Sequence, residues 1–478
     1  MPTSARSESP ATSQSHAALV AESRRLKAPG RREEALRVDR EAVARFPRSG
    51  VAWHNLAASL GDLGHAGEAV AAVERAFNAG LDAPETWLTY ANAQVALNDM
   101  DAAEHGFVEA LRRRPAYAPA ALSLARLRWM RTGDWEPAMA PLRDALAAGG
   151  EPVPLLLFSA RLLETAGFRA QVGDLFEEAL RRHPENASVV RAAAEFLLAE
   201  GELARAVVLS ERAVALDPGF VAARVQAAAV YLALGRTGDA LAAARRAIAL
   251  DPSDQSGWGW LATAARAAGA PEADALNHYG TLVRSYRLPT PRGWTSLAAF
   301  LADLARTLRR LHVFRAQPAE QSLRGGAQTG ANLLHLDDPV VRAFFQAVRT
   351  PIAHHLAELG HGDDPVRARN SGAFRIDDAW SVLLKPGGFH ASHFHPGGWL
   401  SSAFYVELPQ AALDGPRREG WIQFGQPPSA TSPPLGPQHF VRPEPGLLVL
   451  FPSYMWHATV PFTTPESRLT IAFDVLPG

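Results

Sequence analysis

The chain contains no cysteine, which excludes disulfides, a thiol nucleophile and cysteine-ligated zinc. Any bound metal must therefore be held by His, Asp or Glu. Lysine is almost as scarce: it occurs only as Lys27 and Lys385, so nearly all of the 48 basic residues are arginine. They are balanced by 49 acidic residues, and the formal net charge of −1 leaves no global field that would draw in nucleic acid or an anionic membrane. No apolar run reaches the roughly 18 residues of a transmembrane helix. Residues 1–15, MPTSARSESPATSQS, lack the apolar stretch of a signal peptide. These absences predict a cytoplasmic protein with neither nucleic-acid nor membrane partners. What is present is ordinary: 47% hydrophobic and 20% charged residues fit a soluble globular protein, and 478 residues exceed the usual span of one domain.

The first half repeats itself. Prolines recur at Pro47, Pro115, Pro184, Pro218 and Pro252, separated by 68, 69, 34 and 34 residues. A small residue runs in phase with them: Ala35, Ala69, Ala103, Ala138, Val172, Ala206 and Ala240 follow one another at steps of 34 or 35. Bulky Trp53, Trp87 and Trp258 hold the fourth position of their units. The small residue allows two helices to approach closely, and proline ends the second helix because it cannot extend the hydrogen-bond ladder. A 34-residue unit of two amphipathic helices resembles the tetratricopeptide repeat. Seven units fit between about residues 16 and 254, and a degenerate eighth, Gln255 to about Leu288, is expected to cap them. Such solenoids present a groove suited to a protein or peptide partner.

After RLPTPRGW (residues 287–294) the repeat phase is lost. Residues 295–314 and 338–360 still read as helical. Short apolar or alternating runs follow, punctuated by Gly and Pro: AWSVLLKP, WLSSAFYVELP, WIQFG, GLLVLFP and RLTIAFDVLP. Strands of this length and spacing predict an antiparallel barrel or jelly roll. Ten of the sixteen histidines lie in residues 288–478. In HASHFH (residues 390–395), strand geometry would point His393 and His395 to one face and leave His390 off it. His457 follows GLLVLFPSYMW, and Arg468 opens the last apolar run. A barrel would bring these segments together as a histidine cluster beside a buried cation. Imidazoles suit Fe, Zn, Cu and Ni. A buried arginine requires an anionic partner, and a ligand carboxylate would serve. His354 and His355, within PIAHHLAELG, are expected to be solvated or capping, and Trp399 and Tyr405 to be packing residues.

HFHPGGWLSSAFYVELP, followed by LVLFPSYMWHATVPFTTPESRLTIAFDV, resembles the double-stranded β-helix core of the 2-oxoglutarate/Fe(II)-dependent oxygenases. The similarity is to the bacterial and phage branch that is often fused to tetratricopeptide repeats. QSLRGGAQT (residues 321–329) resembles a segment upstream of that barrel, with Arg324 at the site entrance, and the likeness covers roughly residues 315–478. Ser402 stands where the branch usually has glycine. The resemblance implies Fe(II) as cofactor and 2-oxoglutarate as cosubstrate, with His393 and His457 as iron ligands. Arg468, helped by Thr470, would bind the distal carboxylate of 2-oxoglutarate. The branch's acidic ligand has no counterpart, since no acidic residue lies between Asp378 and Glu407. Two assignments stay open. His395 replaces the carboxylate in a three-histidine site, or His395 is the first ligand and Gly397 occupies the acid position.

The expected architecture is α+β and multidomain. A disordered N-terminus (residues 1–15) precedes a tetratricopeptide-repeat α-solenoid (16–287) and a C-terminal double-stranded β-helix, or jelly-roll, domain with flanking helices (288–478). The expected function is a 2-oxoglutarate- and Fe(II)-dependent dioxygenase that hydroxylates a protein or peptide presented by the solenoid. The alternative is a non-enzymatic adaptor with a degenerate oxygenase fold, motivated by the missing acid.

Overall fold

The computed structural model describes residues 15–27, 30–409 and 417–478. The N-terminus expected to be disordered lies, apart from Ser15, outside the described residues. Two compact units are present, one ending at Leu124 and one beginning at Ala125. Among the described residues no helix is long and apolar enough to cross a membrane.

The first unit consists of paired helices: His16–Lys27 with Arg32–Arg45, Gly50–Asp62 with Ala66–Asn78, and Pro84–Ala96 with Met100–Arg113. Ala35, Ala69 and Ala103 sit at the fourth position of the second helix of each pair, and each is fully buried. Here the missing side-chain bulk lets neighbouring helices meet. The Trp53 indole donates to the Pro47 carbonyl at 2.8 Å, tying the start of one helix to the preceding turn.

The second unit continues the pattern through Trp135–Ala147, Pro152–Thr165, Arg169–Arg182, Ala187–Ala199, Leu203–Leu216, Val221–Ala233 and Thr237–Leu250. Ala138, Val172, Ala206 and Ala240 repeat the buried small-residue position. A second periodic signal marks where the first helix of each pair ends. Gly30, Gly64, Asn98, Gly133, Gly167, Gly201, Gly235 and Gly269 all have φ between 63° and 88°. This left-handed conformation closes a helix and favours glycine, with asparagine the tolerated substitute. Helix Gln255–Ala268 begins the eighth unit, but two short helices, Glu272–Leu276 and Tyr279–Leu282, replace its second half.

The chain then enters a sheet, one strand earlier than the change of sequence character at residue 288. The strands are β1 (Arg284–Arg287), β2 (Leu323–Gln328), β3 (Phe374–His390), β4 (Leu400–Glu407), β5 (Ile422–Phe424), β6 (His439–Val441), β7 (Leu447–Pro452), β8 (His457–Thr459) and β9 (Arg468–Pro477). Six of them form one sheet in the order β1-β7-β4-β9-β3-β2, and three form another in the order β6-β5-β8. Every pairing is antiparallel. QSLRGGAQT supplies β2, the edge strand against β3. Helices Leu297–Leu311 and Pro339–Leu359 flank the sheets, as the sequence predicts.

One apolar core runs without a break from the last repeats into the sheets. It joins Ala240, Trp260 and Leu276 to Phe344, Phe404 and Phe473. The expected boundary at 287/288 thus falls just after β1, within one continuous apolar core. Ser402, in the usual glycine position, is buried and satisfied: it donates to the Phe473 carbonyl at 2.8 Å and accepts from the Phe473 amide at 2.9 Å.

Candidate active site

β9 lies between β3 and β4, with Thr470 level with both Val382 and Tyr405. Its alternation points Arg468, Thr470, Ala472 and Asp474 into a cavity of about 400 Å³. His390, His393, His395 and His457 line the same cavity, with Trp380 and Val382 from β3.

His393 and His457 form an isolated antiparallel bridge, with amide-to-carbonyl distances of 3.0 and 2.9 Å in the two directions. Their rings lie 4.1 Å apart, centroid to centroid, with the planes tilted by 47°. His395 is not on a regular strand. Its amide donates to the Ser453 carbonyl at 2.9 Å, and its ring stands 5.2 Å from that of His457. One ligand atom from each of these three histidines lies within 4.8 Å of the others. They share a site because two turns lay the 390–396 segment against β8 and its approach, rather than through strand alternation.

Each of the three rings is oriented by an acceptor on Nδ1. His393 Nδ1 is 2.8 Å from the Ala391 carbonyl, and His457 Nδ1 is 3.0 Å from the Met455 carbonyl. His395 Nδ1 meets the Asp474 carboxylate at 2.7 and 2.9 Å. Carbonyl and carboxylate oxygens only accept here, so Nδ1 carries the proton and the Nε2 lone pair is free in the neutral ring. Burial pushes the His393 imidazole down to about 3, helped by neighbouring His395, and holds His457 well below its ordinary range for the same reason. Neutral imidazoles with free Nε2 atoms and fixed orientation are the state in which histidine binds a metal.

Asp474 joins the cluster from 79 residues beyond His395, outside the stretch between Asp378 and Glu407. Its signal in the sequence is the alternation from Arg468, which places residue 474 on the cavity face. Asp474 also accepts from Ser401 Oγ at 2.7 Å.

His390 departs from the expectation that it stands apart. It lines the cavity, its ring is 5.5 Å from that of His393, and Ser322 Oγ lies 3.2 Å from its Nδ1. β3 ends at His390 and the chain turns, so counting by strand alternation fails there.

Arg468 is buried, 3% exposed, and its Nε has no hydrogen-bond partner. No carboxylate pairs with it among the described residues, and burial lowers its affinity for its own proton. Its guanidinium lies 5.0 Å from the Tyr405 ring centroid, and the fully buried Tyr405 hydroxyl also lacks a partner. Tyr405 and Trp399 are both fully buried in the apolar core, as expected of packing residues; the Trp399 indole donates to the Val366 carbonyl at 2.9 Å. Arg324 is turned to the Gln321 and Leu323 carbonyls at 2.6 and 2.8 Å.

Residues 378–474 match the family model described as "Putative 2OG-Fe(II) oxygenase", and residues 197–262 match a tetratricopeptide repeat model. No curated protein matches the chain. Among solved structures, a tetratricopeptide repeat protein from Parabacteroides merdae ATCC 43184 is similar at 16% identity and a TM-score of 0.38, over 52% of this chain and 97% of that one. Yeast Tom70 is similar at 18% identity and 0.43, over 59% and 60% of the two chains. The human IFIT1 dimer with m7Gppp-AAAA is similar at 21% and 0.35, over 56% and 68%. At these scores the structural likenesses carry no functional argument. The chain thus carries tetratricopeptide repeats ahead of a domain that matches the 2OG-Fe(II) oxygenases.

Proposed function

We propose that this protein is a 2-oxoglutarate- and Fe(II)-dependent dioxygenase of the double-stranded β-helix fold that hydroxylates a protein or peptide. Fe(II) would be held by Nε2 of His393, His395 and His457. The observation that carries this reading is the shared orientation of the three rings, each with Nδ1 engaged and Nε2 free within one cavity. It favours the three-histidine set over His395 with Gly397, which has no donor atom. Asp474 supplies negative charge one hydrogen bond behind His395, at the edge of a site that has no carboxylate ligand.

The fit to 2-oxoglutarate rests on a buried cation that no protein carboxylate neutralises. The Arg468 guanidinium, whose Nε has no hydrogen-bond partner and whose neighbour is the buried Tyr405 phenol, calls for an anion, and a ligand carboxylate would serve. Arg468 would take the distal carboxylate, with Thr470 beside it on the same face and Tyr405 beneath. When bound, iron and 2-oxoglutarate supply O2-dependent oxidation of a C–H bond coupled to decarboxylation of the cosubstrate. The protein orients the imidazoles through the Ala391, Met455 and Asp474 oxygens. The repeats would present the protein or peptide substrate, in a cytoplasmic setting without membrane or nucleic acid.

An anaerobic Fe(II) titration with and without 2-oxoglutarate tests the reading. One equivalent of iron and a metal-to-ligand charge-transfer band that appears only with 2-oxoglutarate are expected. Absence of stoichiometric iron binding would leave the adaptor reading in its place.

A further inference from the structure

The tetratricopeptide repeats reach closer to the histidines than a substrate-presenting groove requires. Helix Gln255–Ala268 touches a chain neighbour of every histidine in the cluster. At its start, the Gln255 amide donates to the Pro396 carbonyl at 2.9 Å, next to His395. At its middle, a Cβ on Gly259 would fall 2.8 Å from the Tyr454 carbonyl oxygen and 3.4 Å from Phe394 Cδ1, so only glycine lets these backbones close. One turn later, Thr263 Oγ1 accepts from the Trp456 indole at 2.8 Å and donates to the Gly259 carbonyl at 2.8 Å. The Trp456 ring lies edge-on to Trp260 at 5.1 Å and to Phe394 at 4.4 Å. Phe394 separates His393 from His395, and Trp456 precedes His457.

We propose that this repeat helix is a positioning element of the metal site, acting through Gly259 and Thr263. The inference rests on the reading of the three histidines as ligands. Neither residue lines the cavity, and neither would touch metal or substrate. Their effect is to fix where the 393–395 segment and the 456–457 segment stand relative to each other. A ligand set drawn from two separate segments binds metal well only when both are held in register. The repeats and the histidine cluster are then one binding unit, and displacement of this helix loosens the site.

The test uses the full chain and Co(II) alone, followed by anaerobic titration and visible absorption. Gly259→Ala and Thr263→Val should each weaken Co(II) binding about ten- to hundredfold, the range seen when outer support of a metal site is removed. Their far-ultraviolet circular dichroism should stay native, and Thr263→Ser should restore affinity. Ile352→Val, a buried change in helix Pro339–Leu359, serves as a control for general loss of stability and should bind normally. Wild-type Co(II) affinity in folded Thr263→Val, or equal weakening in Ile352→Val, would overturn the proposal even if Gly259→Ala fails to fold. Failure of the wild-type chain to bind Co(II) would overturn the ligand assignment itself.

Discussion

His395 Nδ1 and the Asp474 carboxylate lie 2.7 Å apart, although 79 residues separate them in sequence. The carboxylate engages Nδ1 and so leaves His395 Nε2 as the ring atom available to a ligand. It does so from β9, the strand that also carries Arg468. Asp474→Ala should weaken Fe(II) binding about ten- to hundredfold. Asp474→Asn keeps an acceptor for Nδ1–H and should lose less. Ser401→Ala, which removes a donor to Asp474 and a contact with Ser453 Oγ but leaves the carboxylate in place, should lose less than Asp474→Ala. Equal iron affinity in the Ala and wild-type chains, measured by anaerobic titration, would detach Asp474 from the site.

The three histidines should fail together and His390 should not. His393→Ala, His395→Ala and His457→Ala are each expected to cut iron affinity, because each removes one of three converging nitrogens. His390→Ala should bind iron nearly as the wild type, since His390 stands outside that group despite lining the cavity. His395→Asp should retain iron, because carboxylate suits Fe(II). A mild effect of His393→Ala alone would instead support His395 and His457 as the only protein ligands.

The contrast between His395 and Asp474 shows what the sequence discloses. The repeat is legible because each unit solves the same packing problem, so Ala35 and Ala240, 205 residues apart, are both fully buried at the same position of their helices. The histidines are legible because two of them lie only two residues apart and the third follows an unmistakable strand. Asp474 is less so, because what brings it to His395 is register across a sheet, and only the alternation from Arg468 marks its face. The buttress from Gly259 to Tyr454 is harder still, since it depends on how a helix meets a turn 195 residues away. His355, expected to be solvated, is fully buried for a similar reason: helix Pro339–Leu359 turns that position towards Tyr286 of β1.

Arg468→Ala should weaken 2-oxoglutarate binding and spare iron. Losing a buried charge-assisted pair costs about 2–5 kcal/mol. Tyr405→Phe removes only a neutral hydroxyl and should cost about 1 kcal/mol. Isothermal titration of the iron-loaded chain with 2-oxoglutarate under argon would separate the two. Unchanged affinity in Arg468→Ala would remove the cosubstrate assignment.

The sheets should not survive well without the last repeats. Cutting at residue 288 would remove β1 from the edge of β7, Trp260 from Trp456, and Gly259 and the Leu276 carbonyl from Phe394 and Tyr454. A fragment of residues 288–478 is expected to aggregate or to bind no iron, whereas one beginning at Ala118 keeps the second unit intact and should bind iron. Size-exclusion chromatography with iron titration decides this. A monomeric, iron-binding 288–478 fragment would show that the sheets stand alone.

Stability should fall with acid in a way that His355 reports. Its Nδ1 lies 3.1 Å from the Tyr286 hydroxyl, which donates to Glu358 Oε2 at 2.7 Å, and burial pushes the imidazole down to about 4. In the folded chain the ring stays neutral above about pH 4, whereas unfolded it takes a proton below about pH 6.5. Between these values the unfolded state binds the extra proton, so folding weakens as pH falls from about 6.5 towards 4. At about 1.4 kcal/mol per pH unit, the full span amounts to about 3 kcal/mol. His355→Leu should lose some stability at pH 7 through the stranded Tyr286 contact, but it lacks the titrating group. Its deficit against the wild type in urea unfolding should therefore shrink by about 3 kcal/mol between pH 7 and pH 4. A deficit of constant size across that range would mean that His355 does not remain neutral in the folded chain.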